Sequence, residues 1–348
     1  MTEDAEMEYA EIMKQITCKL CGDQEKDMKY LLTEAAKYVD HENAVEIYRG
    51  VIRIAYNMLP DDEKSQLTHT IDTINLFIQN ILMEAGIKIS EGKLNEAEKM
   101  VKSILAEDNR EKEDEATIYL TFNDLMEETI YRYKYKPVKE VRGDPYCNSK
   151  IYTTYAYVLV EQKRYDEALK ALEKGLQHNP VNVDLLFEES EIFKFRKDWQ
   201  LYKRITDLCL EYSYKPKDVA RVFRNYGFMF IEQTDYDAAI CCYLLSLYFV
   251  NHATATSELY HISKITNKAV DEKFYYENMN QLLTDRGLQV GPSNEILNLA
   301  YHLAVENEKT QDYSCAVYFY KVCFDLTGDE NIRKKIESIT NMISSAKH

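Results

Sequence analysis

Glycine and proline are scarce, at 10 and 6 residues in a chain of 348. Sheets and loops draw on both residues for their turns, so a sheet-rich fold is excluded and the chain reads as nearly all helix. No apolar run of about 18 residues occurs, so no transmembrane helix is expected. The first residues, MTEDAEMEYAEIMKQ, are acidic and carry no apolar core of an export signal, which points to the cytoplasm. Positive charge is also short. Lysine and arginine number 43 against 59 acidic residues, a net charge of −16. Phosphate would be repelled over most of such a surface, which argues against nucleic acid or an anionic membrane as partner. The seven histidines (His41, His69, His178, His252, His261, His302 and His348) are dispersed and form no HExxH. P-loop and GxGxxG patterns are missing. Neighbouring carboxylates such as Asp61/Asp62 and Glu188/Glu189 do not converge on one atom of a helix. Nothing argues for catalysis, so no enzyme and no cofactor are expected.

Tyrosine, by contrast, is abundant at 28 residues, and packing between helices accounts for most of these rings. The eight cysteines are scattered. Cys209, Cys241, Cys315 and Cys323 fall on helix faces, as free thiols in a reducing compartment do. Cys18-x-x-Cys21-Gly22 has the form of half a zinc knuckle, but a structural zinc needs four ligands. Only Cys147 and His41 offer themselves as additions. Two ordinary cysteines near a helix end are the simpler reading; a small metal or redox site at Cys18/Cys21 is the alternative.

The stretch Ser149–Asn182, SKIYTTYAYVLVEQKRYDEALKALEKGLQHNPVN, organises the rest. It places Tyr152, Tyr155, Ala156 and Leu159 on one helix, Ala168 and Leu172 on a second, and Pro180 at the exit. Ala156 and Ala168 are small where two helices cross closely. This stretch resembles a tetratricopeptide repeat. The same offsets recur with Phe223, Tyr226, Gly227, Phe230, Tyr236, Ala239 and Tyr243 in 220–253, and with Leu303, Ala304, Ala316 and Tyr320 in 297–330. Residues 183–216 form a repeat with Leu186, Ser190 and Phe193, and Trp199 takes the aromatic turn position of Tyr165. Residues 254–290 are a degenerate pair, and 331–345 a polar capping helix.

Upstream, residues 3–17 form an amphipathic helix before the CKLCGD turn. Residues 25–58 fit a repeat through Met28, Leu31, Leu32, Ala35, Ala44, Tyr48 and Val51, closed by Pro60 and Asp61. A long helix runs over 62–90, with Leu67, Ile71, Ile74, Ile78, Ile81 and Leu82 at helical spacing. It leads into a repeat with Ala85 and Ala97 and a turn at Gly92. Residues 108–115 are a charged connector and 116–135 a helix. The stretch 136–148 shows no helical period. The expected organisation is therefore an N-terminal helical region 1–135, a connector 136–148, a repeat array 149–330 and a cap 331–348. The whole is an all-α tetratricopeptide solenoid, a right-handed superhelix of about 16–17 helices. Segments such as FNDLMEETIYRYKYKPVKEV look like a group of tetratricopeptide proteins of low-GC Gram-positive bacteria, a resemblance that implies a bacterial cytoplasm and no activity.

In peptide-binding members of the resembled family, Lys, Arg and Asn at positions 2, 5, 6 and 9 of the first helix hold a peptide backbone or carboxylate. Asn pairs both groups of an extended backbone, and Arg forks onto a carboxylate. Those positions hold Arg221, Arg224, Asn225 and Phe228 in one repeat, and Lys150, Thr153, Thr154 and Tyr157 in another. In a third they hold Asn298, Tyr301 and His302. The repeat between the first two is acidic there, with Asp184, Glu188 and Glu191. Internal pairing of Arg221 and Arg224 with Glu188 and Glu191 therefore competes with peptide binding, and contacts between copies of the chain are a third use. The expected function is a non-enzymatic scaffold binding an unidentified protein or peptide. A peptide-responsive bacterial signalling sensor, with 1–135 as effector region, is the alternative.

Overall fold

The computed structural model describes residues 3–38, 67–105, 116–143 and 148–345, with position 41 and isolated positions between 47 and 58. Ala44, Tyr48, Pro60 and Asp61, the stretch 108–115, Cys147 and His348 lie outside the described residues. The chain forms two units by packing, 1–122 with 137–180 and 123–136 with 181–348. The boundary between the units falls at Pro180/Val181.

The first unit begins with α1 (Glu3–Thr17) and α2 (Gln24–Ala35), then α3 (Leu67–Ser90), α4 (Leu94–Ile104) and strand β1 (Thr117–Leu120). The chain then gives α5 (Leu125–Tyr135) to the second unit. It returns to the first for β2 (Glu140–Gly143), α6 (Asn148–Glu161) and α7 (Tyr165–His178). From Val181 onward it stays in the second unit. There α8 (Val183–Arg196), α9 (Trp199–Tyr212), α10 (Pro216–Glu232) and α11 (Tyr236–Phe249) come first. They are followed by α12 (Ala253–Thr266), α13 (Glu272–Thr284), α14 (Asn294–Lys309), α15 (Tyr313–Thr327) and α16 (Glu330–Ser345). Successive helices pack as antiparallel pairs, α6 on α7, α8 on α9, α10 on α11 and α14 on α15. This is an all-α helical-repeat fold of the solenoid class.

The pairing follows from the small residues. Ala85, Ala97, Ala156 and Ala168 are fully buried where their helices meet, and each lets two backbones approach. The turn inside each pair repeats as well. Lys163, Lys197, Thr234, Asn267 and Gln311 all take a left-handed conformation, with φ between 52° and 65°. This caps the first helix by reversing its last carbonyls onto the turn. Gly92 does the same at φ 75°, and it alone of these six meets no steric penalty there. In the first unit, Ile12, Ile16, Leu31, Ile47 and Val51 form one apolar cluster.

One expectation is corrected: residues 116–135 are not one helix, because their first residues form a short strand. Thr117–Leu120 pairs in parallel with Glu140–Gly143, Thr117 opposite Glu140. Thr-Ile-Tyr-Leu is a β-branched and aromatic run that suits a strand. The helix starts only at Leu125, because Asp124 sits in extended backbone and accepts from the Met126 and Glu127 N–H groups. The Glu127 carboxylate reaches back to the Asn123 N–H at 2.7 Å and its amide at 2.8 Å, close to a capping box. Parallel strands need a long crossover, and the segment carrying α5 supplies it.

Candidate functional site

Helices α8 and α10 each show one stripe of side chains at three- and four-residue spacing. On α8 it is Asp184, Glu188, Glu191 and Phe195; on α10 it is Lys217, Arg221, Arg224 and Phe228. The opposite faces are apolar and buried: Leu185, Leu186 and Ile192 on α8, Val222, Phe223, Tyr226 and Phe230 on α10. Burial of those faces fixes the direction of the stripes.

The Arg221 guanidinium carbon lies 4.3 Å from the centre of the Phe187 ring, and Nη2 is 3.5 Å from Glu188 Oε1. Burial pushes the Glu188 carboxyl up, and the Arg221 charge only partly offsets it. The pair is therefore long and its acid is poorly solvated. Glu191 bonds Lys194 at 3.0 Å instead of an arginine. Arg224 makes one hydrogen bond, donating to the buried Ser246 Oγ at 3.1 Å, and no described carboxylate pairs with it. Burial, then the neighbouring Arg221 charge, lowers its proton affinity. A guanidinium has five donors, so Arg224 is a half-buried cation most of whose donors have no partner among the described residues. Internal pairing thus forms in part, at Arg221–Glu188 only.

The other expected residues fall in three places. Asn225 is buried; its amide donates to Ser190 Oγ at 3.4 Å and its backbone carbonyl accepts from the Tyr202 hydroxyl at 3.2 Å. It holds α10 against the α8/α9 pair. Phe228 is half-buried between the Lys194 ammonium, 4.6 Å above its ring, and Trp199, 6.1 Å between centroids. Asn298 and His302 lie exposed on α14 of the same unit, His302 within 3.3 Å of Glu306. Lys150, Thr154 and Tyr157 belong to the first unit; Lys150 is exposed, and Thr154 donates to the Lys150 carbonyl at 3.1 Å. The structure therefore brings Arg221, Arg224 and Phe228 together, with Asn225 beneath them.

Beside Arg221, Asp218 is buried, with the Lys217 ammonium 3.9 Å from its carboxylate. Burial and the nearby Asp184 charge prevail over Lys217 and push its pKa up to about 6. A carboxyl raised in the folded state adds stability below its unfolded value and loses it as pH rises through the folded one. Asp218 thus costs stability at pH 7 that it does not cost at pH 4. Asp218→Asn should raise unfolding stability at pH 7 by on the order of 2 kcal/mol and leave it little changed at pH 4. Urea melts at the two pH values check this; an equal change at both would contradict it.

The Cys18/Cys21 turn follows the end of α1. Both cysteines are exposed. The buried Asp27 carboxylate accepts the Cys21 N–H at 2.8 Å and the Gly22 N–H at 2.7 Å, and Cys18 donates to the Gln15 carbonyl. These bonds give the turn a structural reason. Among the described residues no three His, Cys, Asp or Glu side chains gather as metal ligands. No described helix is long and apolar enough to cross a membrane.

One polar cluster in the second unit escapes a reading of the sequence. The Asp124 carboxylate accepts from the Tyr214 hydroxyl at 2.6 Å and the Tyr318 hydroxyl at 3.3 Å, and the Lys215 ammonium lies at 2.9 Å. Burial acts to raise this carboxyl, but Tyr214 and Lys215 outweigh it and hold it below its usual range. At the other end of α5, Lys134 pairs with Glu211 and Glu295. The helix is thereby tied at both ends within that unit. The Asn-Asp-x-x-Glu run at 123–127 is the available signal for its start.

No protein-family model matches the chain. The chain is similar to the Hsp70-Hsp90 organising protein of Plasmodium falciparum (isolate 3D7), 24% identical over 145 residues. The match covers 40% of this chain and 25% of that protein, so the chain spans about a quarter of the relative's length. With the helix pairs and their left-handed turns, the similarity supports a tetratricopeptide-like helical repeat.

Proposed function

We propose that the protein is a non-enzymatic scaffold that binds a peptide segment of a partner along the first-helix stripes of its second unit, with Arg224 as the anchor for an acidic group. The observation that carries this reading is Arg224 itself, a half-buried cation with one hydroxyl partner and no described carboxylate. Burying a charge without a counter-ion is costly, and a ligand carboxylate would remove that cost while forming forked, charge-assisted bonds. Arg221 adds a second positive charge that Glu188 neutralises weakly, and Phe228 offers an apolar flank. In a chain of net charge −16 such a patch selects by contrast: acidic segments are repelled elsewhere and held here. The relative's name describes a protein that organises two others, and that role accords with a scaffold. On this reading the protein works in a bacterial cytoplasm.

A displayed library of random peptides, panned on the wild-type chain and on Arg224→Gln, tests this. Enrichment of Asp and Glu at a fixed position on the wild type, lost on the variant, is the expected result. Equal enrichment on both would move the anchor away from Arg224.

A further inference from the structure

Helix α5 is a guest in the second unit: the chain before it, up to Phe122, and after it, from Pro137, belongs to the first. Its 11 residues span about 16 Å, and a helix that short is marginal in water on its own. The seat that holds it is built from the α9–α10 junction and from α14 and α15; α9 and α14 touch. At the start of α5, the Tyr318 hydroxyl accepts the Met126 N–H at 3.1 Å and donates to the Asp124 carboxylate, which Tyr214 and Lys215 hold as well. At its end, Lys134 meets Glu211 and Glu295, and the Tyr135 hydroxyl lies 3.4 Å from that of Tyr212.

Between these two latches the buried stripe is narrow: Met126, Glu127, Ile130 and Tyr131. The Glu127 carboxylate bonds Asn123, inside the same segment. Leu125, Arg132, Tyr133 and Tyr135 are exposed, and so is Val138, just past the helix. The helix pairs of this unit are joined differently: α10 buries ten of its 17 residues and α11 nine of its 14. The free energy of local opening follows the buried apolar contact, so α5 lifts from its seat more readily than α10 and α11 separate. Its polar latches are groups that water solvates well once the helix leaves.

We propose that this seat is a docking site for an amphipathic helix of a partner protein, and that α5 is its resident occupant, a strap that lifts to admit the partner. Helix α5 itself shows which helix fits. It begins on an Asp N-cap, carries apolar residues two and six positions later, and a Lys ten positions later (Asp124, Met126, Ile130 and Lys134). The seat supplies the complement: the Lys215 ammonium and two tyrosine hydroxyls at one end, the Glu211 and Glu295 carboxylates at the other. A tethered strap competes at an effective concentration on the order of millimolar, so the partner binds in proportion to the open fraction. The seat shares no residue with the Arg221, Arg224 and Phe228 stripe.

Hydrogen exchange of the full chain, read by mass spectrometry, tests the strap. Amides of 125–135 should exchange at least about 100-fold faster than those of α10 and α11. Asn and Gln in place of the two latch charges, Asp124→Asn/Lys134→Gln, should speed them roughly tenfold more and leave α10 and α11 unchanged. Docking is tested with a capped, fluorescent peptide of residues 122–137 and the Met126→Asp/Ile130→Asp chain, whose own strap cannot seat. The peptide should bind that chain with a dissociation constant on the order of 10 μM and the wild type at least about tenfold more weakly. A peptide carrying the same two aspartates should bind neither. If the aspartates also speed exchange in α10 and α11 of the protein, the Asp124→Asn/Lys134→Gln chain takes their place, and it should bind the peptide more tightly than the wild type does. Exchange of 125–135 only in step with α10 and α11 would make α5 part of the framework and overturn the proposal. A peptide that binds the opened chain no better than the wild type, or that binds equally well with its two aspartates, would overturn it too.

Discussion

Arg224→Glu should weaken binding of the partner by roughly 100-fold or more while leaving the fold intact. Reversing a partly desolvated charge at an interface costs about 2–5 kcal/mol, and each 1.4 kcal/mol is tenfold in affinity. Stability should not fall in step, because Arg224 holds little of the fold. Its one hydrogen bond goes to Ser246, and its half-buried charge is a cost in the free protein. Arg224→Met keeps the length of the stem and removes that cost, so it should melt at or above the wild-type temperature and bind no better than Arg224→Glu. Loss of binding with preserved or raised stability separates a ligand-facing residue from a structural one. A large drop in melting temperature for Arg224→Met would make the arginine structural.

Gly227→Leu should cost the second unit about 3 kcal/mol or more, the upper range for overpacking a core. Gly227 lies in the middle of α10, where glycine is about 1 kcal/mol worse than alanine by helix propensity alone. Space explains its presence. A Cβ built there would stand 2.9 Å from Cε2 and Cζ of Tyr243, and Tyr243 on α11 is almost fully buried. The large ring on one helix is matched by the missing side chain on the other. Gly227→Ala should therefore lose stability despite its better propensity. Combining Gly227→Ala with Tyr243→Leu should cost less than the sum of the two single changes, because the pair is in contact. Denaturant unfolding of the four proteins measures the coupling; strict additivity would show that the ring does not set the residue at 227.

The same pair shows why the repeats are legible in the sequence. Gly227 and Tyr243, like Ala156 and Ala168, fall at positions that only a close helix crossing explains, and crossing residues recur at fixed offsets. The interior pattern is set by local spacing, so the chain displays it directly. What stays hidden there is non-local. Thr117–Leu120 reads as part of a helix because four residues cannot establish a period of two against the helical run after them. Its partner, Glu140–Gly143, lies beyond α5. The Asp124 cluster draws on Tyr214, Lys215 and Tyr318, residues about 90 to 190 positions away. No spacing rule joins them.

Within the candidate site the division is similar. Residue type and repeat position put Arg221, Arg224 and Phe228 on one stripe, and there they lie. The same rule assigns Asn225 to that stripe, yet its amide faces Ser190 and is buried. A helix position sets direction only to within the width of a face, and packing against α8 and α9 decides the rest. The choice between ligand binding and internal pairing also lies beyond the sequence. Glu188 and Glu191 are equal candidates by spacing, but Lys194 takes Glu191, and Arg224 is left with Ser246.

The measurement that bears most directly on the scaffold reading is a comparative capture from a lysate of the source cell. Wild type and Arg221→Glu/Arg224→Glu serve as baits, first shown to be equally helical by circular dichroism. The account predicts that a small, reproducible set of proteins binds the wild type and is absent from the variant, and that millimolar acidic peptide from the selected library releases it. Identical sets on both baits would contradict the account and make the two arginines part of the framework.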